Sequence, residues 1–274
     1  MKQKALISIV TIVTFIACVY VKYIYAYALF GTGQWSTMND LLRSILISVF
    51  QFSAIVIACR IMIRQPAFNT LGLTHGLWEG LSRAFLFSLP MFIGYPLLSA
   101  FKSDLSVAAV YSNVISAGFF EEYMYRGFLF GVLFFYAGWG FIPATLIASV
   151  IFASGHLYQA ENTVQLLSVF LFTALANAGF VLFYLCWKNL WIPVFLHAFM
   201  DLAWAMFNQE GGALGNAPAN VFRFTTLGIA IFFTIKKMRE NKVSLKGLLW
   251  TNKRYSNPQN IPEVYAWQRI THPN

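Results

Sequence analysis

Acids and histidines at five positions, Glu121, Glu122, His156, His197 and Asp201, lie within apolar sequence. The first two sit in Gly118-Phe-Phe-Glu121-Glu122-Tyr-Met-Tyr-Arg126-Gly127, and Phe128-Leu-Phe-Gly-Val-Leu-Phe-Phe follows at once. Even the lowest scales put an ionised group at a membrane helix centre at about 2.5–3.5 kcal/mol. Three such groups together need either pairing or chemistry. On a helix, Glu122 and Arg126 are i,i+4 neighbours and can pair, while Glu121 points about 100° away from Glu122. One carboxylate can then be held by the arginine and the other aimed elsewhere. A bridge that only fixes helix packing would account for Glu122 and Arg126, but it leaves Glu121 unexplained. A second buried carboxylate with no cation of its own could act as an acid or a base.

In Trp191-Ile-Pro-Val-Phe-Leu-His197-Ala-Phe-Met-Asp201, the last two polar groups are again i,i+4 and share a face. A carboxylate one turn from an imidazole can fix its tautomer or share a ligand site. It can also serve only as polar glue between helices. Phe152-Ala-Ser-Gly155-His156 surrounds its histidine with small residues that allow close helix approach. Taken alone, a histidine near a helix end reads as interfacial. All three segments depart from lipid chemistry together, which gives the set its weight. HExxH, GxSG and GxGD signatures are absent, as is the phosphate cradle GxxxxGK[ST].

The elements that must position these groups are membrane helices. The 274-residue chain is 58% apolar and 11% charged, against roughly 25% charged for a soluble domain. The formal charge of +9 does not interleave with aromatics as a nucleic-acid surface would; it clusters at the ends and in loops. Cys18, Cys59 and Cys186 all fall in apolar runs, with neither CxxC spacing nor an even count, so no disulfide framework or zinc knuckle is implied. Eight spans are expected: an uncleaved first one reaching about residue 30, then 42–63, 84–101 with Pro90 and Pro96, 106–138, 141–158, 163–187, 190–207 and 219–235. A cleavable signal peptide is the competing reading of the first run, against which its length and the weak Ala26-Tyr27-Ala28 site argue. Residues 66–82 read as loop. Residues 1–236 form one polytopic domain with a motif core of about 118–205, and 237–274 a basic, partly disordered cytoplasmic tail. No internal repeat is evident.

With eight spans, the end bearing the N-terminus holds Lys2, Lys4, Arg60, Arg64, Arg83, Lys188, Lys236, Lys237, Arg239 and Lys242. The other end holds Lys22, Arg43 and Lys102, with Asp40, Asp104, Glu161 and Glu210. The asymmetry predicts cytoplasmic termini in a cell inner or plasma membrane. It also raises a problem of depth. His156 lies about 22 Å along a helix starting at 141, and His197 about 13 Å from Lys188. The two meet only if the turn at 138–143 dips into the bilayer or the helices tilt strongly; a submerged turn is the expectation.

Glu121-Glu122-x-x-x-Arg126, Phe152-x-x-x-His156 and His197-x-x-x-Asp201, in this order on separate spans, resemble the CAAX-protease and bacteriocin-processing family (CPBP, or ABI). Its pattern is EExxxR, FxxxH and HxxxN, with Asp often replacing the final Asn. The resemblance covers about a third of the chain. It implies an all-α bundle of about eight transmembrane helices with an intramembrane polar site. It makes Glu121 the base that activates water, with His156 and His197 holding that water or a metal, or stabilising an oxyanion. Glu122, Arg126, Asp201 and Phe152 would support the site. Zinc held by His156, His197, Glu121 and Asp201 is compatible with that set, and a metal-free glutamate–histidine mechanism equally so. The expected substrate is a peptide or protein associated with the lipid bilayer; neither nucleic acid nor a stable protein partner is expected. The final Thr-His-Pro-Asn has no Cys four residues from the end, so prenylation of this chain itself is not expected. The alternatives are a non-catalytic bacteriocin-immunity or scaffold protein and, less favoured without an inverted repeat, a proton-coupled transporter.

Overall fold

A computed structural model describes residues 2–28, 39–207, 212, 214–240, 243 and 245–252. Most of the expected tail, residues 253–274, lies outside these, as do Glu210 and Lys242. Among the described residues there is no strand, only isolated bridges joining Phe101 to Phe207 and Trp139 to Thr251.

The long helices are Lys2–Ala28, Asp40–Met62, Leu77–Leu98, Thr163–Trp187 and Ala217–Glu240, with shorter ones at Phe141–Ser154 and Trp191–Met206. Six helical segments are long and apolar enough to cross a membrane: Gln3–Tyr20, Asp40–Met62, Leu77–Leu98, Phe141–Gln159, Thr163–Trp187 and Ala217–Glu240. Two more expected spans are also helical. One, Trp191–Met206, is apolar but short. The other is the charged motif segment.

Local chemistry sets the boundaries. The Asn39 side chain accepts from the amides of Leu41 and Leu42, Ser106 from Ala109 and Asn162 from Gln165, each satisfying an orphan donor at a helix start. Outward faces are apolar. Leu167, Leu171 and Leu175, four residues apart, are all exposed, as are Phe224, Ile231, Phe232 and Ile235. A soluble monomer rarely exposes continuous apolar faces of this kind, whereas lipid accepts them.

Three features differ from the expectation. The stretch 66–82 is not all loop: Ala67–Leu71 is a short helix closed by Gly72 at φ 75°, and the next helix starts at Leu77. Glu79 and Arg83 dilute the hydropathy there, which hid the helix start. Second, the motif segment is not a plain α-helix. Val107–Val110 and Gly131–Phe135 are α-helical, but Tyr111–Phe130 between them is wound more widely as a π-helix. The Gly131 amide, for example, donates to the Arg126 carbonyl five residues back. Such winding is rare, occurs mostly as single turns within α-helices, and is frequent at functional sites. It also uses more residues per turn, which helps a segment too long for a ~30 Å hydrocarbon core fit the bundle.

Third, the last described residues pack back onto the bundle. The amides of Gly140, Phe141 and Ile142 donate to the carbonyls of Trp250, Leu248 and Leu249, and the Asn252 amide donates to Gly138. The Asn252 side chain donates to the Phe134 carbonyl, and Leu248 and Asn252 are buried. The same turn is tied to the first helix, where the Trp139 indole donates to Ser8 Oγ at 3.0 Å. Ser8 lies six residues after Lys2, about 9 Å along the helix. The turn is thus held beside the second turn of the first helix.

Gly118 controls how closely the motif helix and Trp191–Met206 approach. A Cβ there would lie 2.6 Å from Ala198 Cβ and 2.8 Å from its Cα. Backbone stands in the way, so the clash cannot be relieved by a side-chain turn. Gly118→Ala is expected to push the helices apart, lowering stability by about 1–3 kcal/mol and loosening the His197 contacts described below. A thermal unfolding midpoint equal to wild type would contradict this close approach.

Candidate active site

Glu122 and Arg126 are both buried, with Arg126 Nη1 3.0 Å from Glu122 Oε1. The contact lacks hydrogen-bond alignment, so it acts as a Coulombic pair. The same Oε1 lies 2.7 Å from His197 Nδ1. On its other side, His197 Nε2 lies 3.2 Å from Asp201 Oδ2. The i,i+4 pairs read from the sequence are therefore both present, and Glu122 joins them into one chain: Arg126, Glu122, His197, Asp201. This differs from the sequence grouping in one respect, since His197 bonds to Glu122 and not to Glu121.

Glu121 is left over, as the spacing suggested. Its Oε2 is buried without a hydrogen-bond partner among the described residues. It lines a cavity of about 530 Å³ together with Arg126, Phe152, His156, His197 and Asp201. Both histidines, from helices that seemed to present them at different depths, thus reach one space. His156, His197, Asp201 and Arg126 all act on the Glu121 carboxyl electrostatically.

The Phe152–His156 pair has two functions in this geometry. His156 sits just beyond the end of Phe141–Ser154, and its Nδ1 lies 2.8 Å from the Phe152 carbonyl. A carbonyl only accepts, so Nδ1 carries the proton and Nε2 is the basic nitrogen of the neutral ring. The Phe152 ring meanwhile lies 4.4 Å from the Arg126 guanidinium, in a cation–π contact. One residue orients both the histidine and the arginine.

Zinc would have to draw on the same side chains. Both ring nitrogens of His197 face carboxylate oxygens, and His156 Nδ1 is committed to Phe152. Zinc sites need several lone pairs converging on one point. Among the described residues, no three His, Cys, Asp or Glu side chains form a group that could hold a metal. As arranged, the set His156, His197, Glu121 and Asp201 does not fit a resident zinc.

The sequence reading missed two residues. Phe180 lies between Arg126 and His197, at 5.3 Å and 5.7 Å from them; one phenylalanine among 28 carries no signal. Arg223, in the apolar Ala217–Glu240 helix, is buried and lines the same cavity. Its signal was available as an arginine inside a span, but attention to acids and histidines passed over it.

Helical architecture, lipid-type outward faces and a buried glutamate–arginine–histidine chain define a polytopic membrane protein with a polar cluster inside its bundle. Residues 103–203 match a family model described as type II CAAX prenyl endopeptidase Rce1-like, a stretch that contains all seven motif residues. This match supports the resemblance of the stretch to the CAAX-protease and bacteriocin-processing family. No curated protein and no solved structure matches the chain.

Proposed function

We propose that the chain is an intramembrane endopeptidase in which Glu121 activates water against a peptide bond of a membrane-associated peptide or protein. One observation carries the reading. Glu121 places a buried carboxylate oxygen, without a hydrogen-bond partner among the described residues, at a cavity shared with His156, while Glu122 is consumed by Arg126 and His197. A water between Glu121 and His156 Nε2 can donate one proton toward each acceptor. Glu121 takes a proton as the water oxygen attacks the carbonyl carbon, then delivers it to the departing amine as the C–N bond breaks. Arg126 lines the cavity, and its Nε is outside any hydrogen bond among the described residues, which supplies a donor for the oxyanion. His197 and Asp201 act as positioning residues that hold Glu122 and leave Glu121 free. Both termini lie at the cytoplasmic face in this reading, following the charge bias.

The test uses purified protein in liposomes with peptides extracted from the host membrane. Wild type is expected to generate new N-termini and Glu121→Gln none; equal yields from both would sink the reading. Because the donors do not fit zinc, treatment with a chelator is expected to leave the wild-type rate within about twofold, with less than one bound zinc per chain by mass spectrometry. Loss of activity on chelation, restored by zinc, would contradict the metal-free arrangement.

A further inference from the structure

The helix Phe141–Ser154 starts without a side-chain cap of its own. Its first intrahelical donor is Ala144, whose amide reaches the Gly140 carbonyl at 3.1 Å. Amides ahead of that point need acceptors from outside the helix. Pro143 has none to satisfy, and the other three are taken by one distant segment. Gly140 donates to the Trp250 carbonyl at 3.2 Å, Phe141 to Leu248 at 2.8 Å and Ile142 to Leu249 at 2.8 Å. Two anchors fix that segment. The Leu248 side chain is buried in the main core, and the buried Asn252 side chain donates to the Phe134 carbonyl at 2.9 Å. Between them the Leu249 and Trp250 side chains are exposed, so the segment acts on the helix through its carbonyls.

The far end of the same helix serves the site. Phe152, His156, Tyr158 and Gln159 all line the Glu121 cavity, with His156 about 22 Å beyond Phe141 along a helical rise. The buried face between carries Ala144, Ala148, Ser149 and Ala153. Side chains so small form shallow ridges, which interlock weakly against sliding along the axis. Asn177 ties the helix at mid-length, donating to Ser149 at 2.8 Å, and the three carbonyls tie its start. We infer that residues 248–252 are a positioning strap: by holding the start of Phe141–Ser154, they set where His156 stands against Glu121. This rests on the reading of His156 as an acceptor for the attacking water. It gives residues beyond the 103–203 stretch a part in the reaction without any contact to substrate.

Gly140→Ala in the full-length chain releases the strap selectively. Its φ of −74° suits any residue, but a Cβ would lie 2.1 Å from the Trp250 carbonyl carbon and 2.4 Å from the Leu249 oxygen. Those are backbone atoms, so the strap must move. Gly179→Ala is the control, since a Cβ there meets nothing within 4 Å. In nanodiscs, the amides of Gly140, Phe141 and Ile142 should lose hydrogen-exchange protection in Gly140→Ala. Turnover of a peptide that wild type cleaves is expected to fall about 10–100-fold with KM within about twofold, as when a catalytic group is displaced by about 1 Å. The chain has four histidines, which allows a reading independent of turnover. With the ring Cε1 isotope-labelled, the His156 resonance, assigned from His156→Gln, should shift in Gly140→Ala and stay in Gly179→Ala. Asn252→Ala, which removes the bond to Phe134, should move turnover and resonance the same way by less, and decides the matter if Gly140→Ala fails to fold. The inference is overturned if protection is lost while the His156 resonance and turnover stay at wild type, or if KM alone rises. Protection unchanged in both variants would overturn it as well. A His156 resonance that shifts in a protein whose wild type cleaves nothing would sink the protease reading alone.

Discussion

Glu121→Gln is expected to lower turnover by about 10²–10⁴-fold, the usual contribution of a positioned general base. Thermal stability and substrate capture should stay near wild type. The amide is close to the carboxylate in shape but cannot take a proton from water. Among the described residues Oε2 has no hydrogen-bond partner, and the Arg126–Glu122–His197–Asp201 chain does not pass through Glu121. Rate is read with reconstituted protein, and capture by photo-crosslinking a peptide that wild type cleaves. A variant that loses its fold along with its rate would make Glu121 a packing residue.

Glu122→Gln is expected to do the opposite. Its Oε1 serves Arg126 at 3.0 Å and His197 at 2.7 Å from a wholly buried position. Removing one partner from a buried ion pair costs about 3–5 kcal/mol, because the remaining charge is left without compensation. That is a large share of a total stability of about 5–15 kcal/mol. The unfolding midpoint in detergent should fall sharply and the yield of folded protein with it, while protein that does fold keeps Glu121 and some turnover. Replacing Arg126 with Met in the same chain should recover part of the loss, since a well-packed apolar pair avoids the uncompensated charge. Full stability with no turnover in Glu122→Gln would mean that the two carboxylates have exchanged roles.

The pairing of Glu122 with Arg126, which leaves Glu121 out, was legible in sequence because it depends on helix spacing alone. Glu122 and Arg126 are one turn apart on any regular helix, and so are His197 and Asp201. Hydropathy, a local property, also located the helices, six of which are long and apolar enough to cross a membrane where eight spans were expected. It could not say which carboxylate His197 would meet. That contact joins residues 75 positions apart and follows from Gly118 letting one helix backbone approach another at Ala198. The return of Leu248–Asn252 to the turn at Gly138 was hidden for the same reason. Its surroundings are basic and polar, and what holds it is a set of backbone hydrogen bonds to a turn more than a hundred residues away. Phe152 illustrates both limits. Its motif position was visible, but its double service to His156 and Arg126 needed the fold.

Comparing membrane proteomes from cells carrying wild type and Glu121→Gln at matched abundance tests the central claim most directly. Peptide N-termini are mapped across all membrane-associated proteins. The account predicts a small set of new termini present with wild type and missing with Glu121→Gln, their precursors accumulating in the mutant membranes. Identical sets of termini from the two strains would contradict it.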